Sequence, residues 1–334
     1  GRVFAAKDIP SFTADTYRAV VGSMPRLAGG TRYETAGLLF DQGNWQQGGS
    51  IVLASGANYP DALAASALAG DLNAPIMLTD PNGLSTETEW RIQNLKPARV
   101  YIIGGNAAVS TKVERRIAQL IGSESNIQRI AGDTRYDTSL KVASSLSSPS
   151  DTVIVTTGTN YADALSISPY AFATGSPVVL SSPSSGLSDS ALKAIKKAGY
   201  KKAVIVGGAS AVPASVASQL KAQGIGDITR LSGDTRYATS AKIAEFELKQ
   251  NVGFTMDGAY LATGQNFPDA LAAGALSGKH LAPLLLVDPG AHEACSFLSK
   301  YKGEVSRVTF VGGTSAIGNA EAISITRALG VNGA

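Results

Sequence analysis

The chain has 334 residues, 44% of them hydrophobic and 16% charged, with a formal net charge of +3. That apolar fraction excludes global disorder. The slight positive balance permits contact with an acidic polymer, but no run of Lys or Arg resembles a nucleic-acid arm. Aromatic residues make up only 7%, and nothing resembles a stacking platform for bases. A single cysteine, Cys295, excludes an intrachain disulfide. Gly, Pro and charged residues interrupt every apolar stretch before it could span a bilayer. The chain opens on Gly1 rather than Met, as expected of a processed form, so the lack of a signal peptide is uninformative.

Residues 1–25 form an N-terminal extension in which Ser11 to Val21 reads as one helix, a tether to something upstream. After it, one phrase occurs three times: RLAGGTRYET from Arg26, RIAGDTRYDT from Arg129 and RLSGDTRYAT from Arg230. Each is followed by G-x-N-[YF]-x-D-A-L at Gly56, Gly158 and Gly264, then by a proline and an aliphatic triplet at Pro75, Pro177 and Pro283. An apolar run ending in paired glycines (Gly104-Gly105, Gly207-Gly208, Gly312-Gly313) comes last. A period of roughly 100 residues is too long for a solenoid unit and matches a small domain. The expected domains are therefore 26–128, 129–229 and 230–334.

The middle copy is the clearest. Asp133 or Thr134 is placed to cap a helix through Ala143. Thr152-Val-Ile-Val-Thr-Thr reads as a buried strand, Gly158 to Tyr161 as a turn, and Ala162 to about Thr174 as a small-residue helix. Pro177-Val-Val-Leu gives a second strand, and Ser188 to Lys197 an amphipathic helix closed by Gly199. Lys202-Ala-Val-Ile-Val gives a third strand, and Pro213 to about Gln223 a last helix. Ile228-Thr-Arg-Leu is a fourth short strand opening the next copy. Apolar strands alternating with helices predict a parallel sheet covered on both faces. Each copy is thus expected to be a three-layer α/β/α domain of about four strands, and the near absence of linkers predicts tight packing around a pseudo-threefold axis.

These phrases, in order and three times over, resemble the cell wall binding repeat 2 family of Gram-positive surface proteins. The carrying residues are Gly-Asp-Thr-Arg-Tyr at 132–136 and 233–237, the N-[YF]-x-D-A-L phrase, the proline with its triplet and the terminal Gly-Gly. The resemblance implies three Toprim-like α/β domains, mostly parallel in their sheets, assembled as a pseudo-trimer. It also implies noncovalent anchoring to an anionic secondary polymer, with any activity in an effector domain elsewhere in the polypeptide. The acidic metal cluster of Toprim enzymes is missing, since the strand ends are Gly-rich. Gly30 stands where copies two and three have Asp133 and Asp234, and Glu34, Asp137 and Ala238 differ after the Tyr, so the three sites need not be equivalent.

The candidate polymer-binding residues are Arg32, Tyr33, Asn58 and Asp61, then Arg135, Tyr136, Asn160 and Asp163, then Arg236, Tyr237, Asn266 and Asp269. The arginines can grip phosphate or carboxylate groups while a tyrosine stacks on sugar, or each can pair with the Asp of the second phrase and lock two helices together. Asn and Asp follow the C-terminal end of the first strand, where ligands sit in open parallel sheets. The alternative is that Asn shapes the turn and Asp charges the first helical turn. The Gly-Gly pairs lack P-loop spacing and serve either as anion-binding turns or as plain tight turns. His280, His292 and Cys295 occur only in copy three and make a weak metal pattern.

The expectation is a noncatalytic module at the Gram-positive cell surface that binds an anionic cell-wall glycopolymer, with no cofactor, metal, nucleic acid or membrane insertion. A sugar- or nucleotide-processing enzyme with a Rossmann-like core would need acid, base or metal residues in one copy, and only the His280/His292/Cys295 region offers that asymmetry. A self-assembling surface-layer or adhesive protein is the third alternative.

Overall fold

A computed structural model describes residues 25–330; the helix expected over 11–21 lies outside the described residues. In the first copy β1 (Arg26–Leu27) leads to α1 (Arg32–Asp41), β2 (Ser50–Ser55), a 3-10 turn over Pro60–Ala64, α2 (Ala65–Leu72), β3 (Ile76–Thr79), α3 (Thr86–Leu95), β4 (Arg99–Ile103) and α4 (Thr111–Ile121). The second copy runs β5 (Ile127–Ile130), α5 (Arg135–Ser145), β6 (Thr152–Thr157), α6 (Ala162–Thr174), β7 (Val178–Ser181), α7 (Asp189–Ala198), β8 (Lys202–Val206) and α8 (Ser215–Ala222). The third runs β9 (Asp227–Leu231), α9 (Arg236–Lys249), β10 (Gly258–Thr263), α10 (Pro268–Lys279), β11 (Leu284–Val287), α11 (His292–Lys300), β12 (Arg307–Val311) and α12 (Asn319–Ala328).

Local chemistry sets these boundaries. Thr31, Thr134 and Thr235 cap α1, α5 and α9 by accepting the backbone N–H three residues on, at 3.2, 3.2 and 3.1 Å. Of the two caps expected in copy two, Thr134 is the one used. Thr35, Thr138 and Thr239 then accept from Gly29, Gly132 and Gly233 at 3.0 Å, which folds each loop back onto its helix. At the other end of α7, Gly199 takes the left-handed conformation.

The strands form three all-parallel sheets ordered β3-β2-β4-β5, β7-β6-β8-β9 and β11-β10-β12-β1. The fourth strand of every sheet therefore comes from the opening phrase of the following copy. β5 carries Arg129 into the first sheet and β9 carries Arg230 into the second. β1 closes the ring by pairing Arg26 with Phe310 and Leu27 with Val311. In each case the arginine Nη1 donates to the carbonyl of the first glycine of a Gly-Gly pair: Arg26 to Gly312 at 2.9 Å, Arg129 to Gly104 at 2.8 Å and Arg230 to Gly207 at 2.8 Å.

One apolar core runs through all three copies, and a smaller satellite core sits under the outer helices of each. The shared core is built where α2, α6 and α10 meet. Small residues permit that approach: a Cβ on Gly70 would fall 2.0 Å from the Phe172 carbonyl oxygen, and one on Gly274 would fall 2.2 Å from Ser168 Oγ. Pro169 cannot donate within α6, and the Ser168 hydroxyl serves the freed Leu165 carbonyl instead, at 2.7 Å. At the centre the rings of Tyr59, Tyr161 and Phe267 touch one another, with centroids 5.3, 5.6 and 6.1 Å apart. A large shared core and closed strand exchange make the three copies one folded body, the pseudo-trimer.

Candidate functional site

In each sheet the chain leaves the first strand toward one side and returns for the third strand on the other. The strand order β7-β6-β8-β9 thus places a topological switch point between β6 and β8. Backbone connections diverge there and open a crevice beyond the strand ends. The next copy covers it. The cleft of about 220 Å³ between copies two and three is lined by Thr157, Asn160 and Asp163 on one side and by Asp234, Thr235 and Arg236 on the other. Its counterpart between copies three and one, about 310 Å³, is lined by Asn266 and Asp269 and by Gly30, Thr31 and Arg32. Asn and Asp of one copy thus face Arg of the next, a juxtaposition across the domain seam that no single repeat contains.

The arginines are tethered from below. Nη1 of Arg32, Arg135 and Arg236 donates to the carbonyl of Gly56, Gly158 and Gly264 in its own copy, at 2.5, 2.5 and 2.6 Å. Among the described residues none of the three is ion-paired within 4.0 Å to the Asp of the second phrase. Charge still acts across the seam. Burial raises the Asp163 carboxyl above its ordinary value while Arg236 pulls it down, and Asp269 is shifted up in the same way against Arg32. Both carboxyl groups lie against the turn of the glycine pair: a Cβ on Gly207 would meet Asp163 Oδ2 at 2.8 Å, and one on Gly312 would meet Asp269 Oδ2 at 2.3 Å. Those glycines have φ of +119° and +101°, so the turn needs glycine on both counts. The second glycines, Gly208 and Gly313, line the clefts and are open on their Cβ side.

Asn58, Asn160 and Asn266 are exposed. Asn160 Oδ1 accepts from Ala162 N at 3.1 Å and Asn266 Oδ1 from Phe267 N at 2.9 Å, so each shapes its turn. Tyr33, Tyr136 and Tyr237 do not line either of the two clefts described above. Their rings occupy the Cβ space of Gly56, Gly158 and Gly264, at 2.6, 2.8 and 2.3 Å, and burial raises the Tyr33 and Tyr237 phenols. Asp61 lies against Gly104 as its counterparts lie against their glycines, where a Cβ would meet Asp61 Oδ2 at 3.0 Å, and Tyr59 donates to the Thr159 carbonyl of copy two at 3.1 Å. In copy three, His280 Nδ1 is bonded to the Tyr260 hydroxyl at 2.7 Å, while His292 and Cys295 lie on α11. Among the described residues no group of three or more His, Cys, Asp or Glu could hold a metal.

Sequence reasoning did not single out the aromatic triad on the axis or the strand-locking Arg26, Arg129 and Arg230. The signal was present, since both positions recur in every copy.

Fold and clefts define a closed triple-repeat α/β binding module. The family model for cell wall binding domain 2 matches residues 26–114, 129–217 and 230–321, and the chain belongs to that family of cell-wall binding modules. It is 32% identical over 280 residues to the N-acetylmuramoyl-L-alanine amidase LytC of Bacillus subtilis, covering 84% of this chain and 52% of the relative. It is also 32% identical over 293 residues to the Bacillus subtilis amidase enhancer, covering 87% of this chain and 38% of the relative. Among solved structures, Cwp8 from Clostridium difficile superposes with a TM-score of 0.79 at 27% identity, over 92% of this chain and 52% of that one. The chain spans about half or less of the length of the curated relatives it matches.

Proposed function

We propose that the chain is a noncatalytic anchor that holds its protein on the wall of a Gram-positive cell by binding an anionic secondary polymer in the clefts between copies. The observation that carries this reading is the repeated seam itself, in which a guanidinium tethered through Nη1 alone faces Asn and Asp at a switch point. Arg supplies the fork for phosphate or carboxylate, and the exposed Asn and half-buried Asp supply partners for sugar hydroxyls. Three linked sites of modest affinity gain from effective concentration, which suits retention on a polymer better than capture of a small molecule. The polymer-binding set is Arg32, Asn58, Asp61, Arg135, Asn160, Asp163, Arg236, Asn266 and Asp269, with Tyr33, Tyr136 and Tyr237 supporting the strand-end turns. The likeness to an amidase and an amidase enhancer supports an effector elsewhere in the full polypeptide.

Arg32→Gln, at an arginine that lines the larger cleft, tests the site directly. Retention on Gram-positive cell walls is expected to fall while the thermal transition stays cooperative. If the variant fails to fold, the arginine is scaffold; if it folds and binds like the parent, the cleft is not the site.

A further inference from the structure

The clefts share one plan but not one chemistry. In the seam between copies two and three, the exposed Asp234 lines the cleft beside Arg236. In the seam between copies three and one, Gly30 occupies that position beside Arg32. The arginines also differ in what already holds them. Arg236 Nη1 donates both to Gly264 O, at 2.6 Å, and to the Tyr161 hydroxyl, at 3.0 Å. The ring facing Arg32 is Phe267, which has no hydroxyl, so Arg32 Nη1 keeps only Gly56 O and its guanidinium lies 5.9 Å from the Phe267 centroid. A guanidinium has five N–H donors, so Arg32 retains one more for a ligand than Arg236 does. The seam of Arg32 is also the roomier, about 310 Å³ against about 220 Å³. Glu34, in the first turn of α1, brings a further carboxylate close to Gly30. It lies outside the cleft lining, with Oε2 bonded to Gly30 N at 2.5 Å.

We propose that the cleft between copies three and one is the phosphodiester site of the module, while the Asp-bearing clefts take the hydroxyl-rich sugar portions of the chain. The inference rests on the polymer-binding reading and adds to it which seam meets the charge. A phosphodiester in the first seam meets a guanidinium with a spare donor, and Asp269 is the one carboxylate lining that cleft. The same group in the seam of Arg236 would face both Asp163 and Asp234. A sugar hydroxyl, by contrast, gains acceptors from those two carboxylates.

The difference is portable between seams. Gly30 is outside the left-handed region, and a Cβ there comes no closer than 3.1 Å, to Glu34 Oε2, so Gly30→Asp fits with a small shift of that side chain. Asp234→Gly is the reciprocal change. The test titrates the full chain with a short poly(glycerol phosphate) oligomer and follows the Nε–Hε resonances of Arg32 and Arg236, each assigned by Arg→Lys replacement. Arg32 is expected to respond at about threefold lower concentration than Arg236, the size of one exposed charge interaction. Gly30→Asp should remove that lead, and Asp234→Gly should bring Arg236 level with Arg32. An equal or reversed order in the parent chain overturns the inference, as does an order indifferent to both substitutions. Retention on intact and polymer-stripped wall is measured alongside. Polymer-dependent retention with no response or the wrong order at arginine sinks the seam assignment alone, whereas polymer-independent retention with silent arginines sinks both readings.

Discussion

Glu247 gives the sharpest stability prediction. It lies in α9 where copies two and three pack, is 0% exposed, and neither carboxyl oxygen has a hydrogen-bond partner. Phe246, next to it in sequence, packs edge-on against Tyr170 of α6, with centroids 5.2 Å apart. Burial holds the carboxyl well above its ordinary value, and the same surroundings raise the Tyr170 phenol, first by burial and then by the proximity of Glu247. The equivalent position in copy two is Leu146, 8% exposed. Glu247→Leu removes a buried polar group left unsatisfied, worth about 1–3 kcal/mol. For a cooperative unit of this size that raises the melting temperature by roughly 2 °C per kcal/mol, or about 4 °C at the midpoint. The sign with pH follows from the raised folded-state pKa. Below the ordinary carboxylate value both states are protonated and the penalty for withholding ionisation is absent. As pH climbs toward the folded-state pKa, the unfolded chain ionises while the folded one stays neutral, and stability is lost. The gain from Glu247→Leu should therefore be larger at pH 8 than at pH 4, and Glu247→Gln should flatten the pH dependence of melting with a smaller gain. A leucine variant no more stable than the parent at pH 8, or gaining equally at both pH values, would refute the reasoning.

Three further outcomes follow from the same geometry. Gly70→Ala forces a Cβ to 2.0 Å from the Phe172 carbonyl oxygen and should cost about 1–3 kcal/mol, read as a lower urea midpoint at unchanged slope; an unchanged midpoint would show that α2 and α6 are not closely apposed. Phe267→Ala empties one side of the axial aromatic triad and should cost about 3–5 kcal/mol by denaturant unfolding. Retention on cell wall should fall steadily between about 0.05 and 0.5 M salt, because the arginine contacts are exposed to screening. Retention indifferent to salt would remove the ionic part of the mechanism.

Much of the fold was legible because local chemistry settles it. Thr134, Ser188 and Gly199 announce helix ends wherever they sit, and Thr152-Val-Ile-Val reads as a buried strand from composition alone. What the sequence withheld depends on closure of the whole ring. Arg129 and Arg230 open their repeats, yet β5 and β9 add to the sheet of the preceding copy, because a parallel strand chooses its partner through packing and not through adjacency. The site behaves the same way. Arg, Asn and Asp were visible as candidates, but the sequence left open whether each Arg grips a ligand or pairs with the Asp of the second phrase, and it did not say which copies would meet. Arg135 donates to the Gly158 carbonyl, and Asp163 meets the charge of Arg236 from the next copy. Tyr136 recurs with Gly158 for a reason that only packing reveals: its ring occupies the space a side chain would need. Nothing in the local sequence sets Glu247 apart from an exposed helix residue; its complete burial arises only from packing in the folded molecule.

The central claim is that the clefts hold the chain on an anionic wall polymer. Its most direct test is retention of the purified chain on Gram-positive cell walls before and after chemical removal of their anionic polymers, with the peptidoglycan left intact. Strong retention on the untreated wall and loss on the stripped wall are expected. Equal retention on both would contradict the claim and place the binding on peptidoglycan or on nonspecific adhesion.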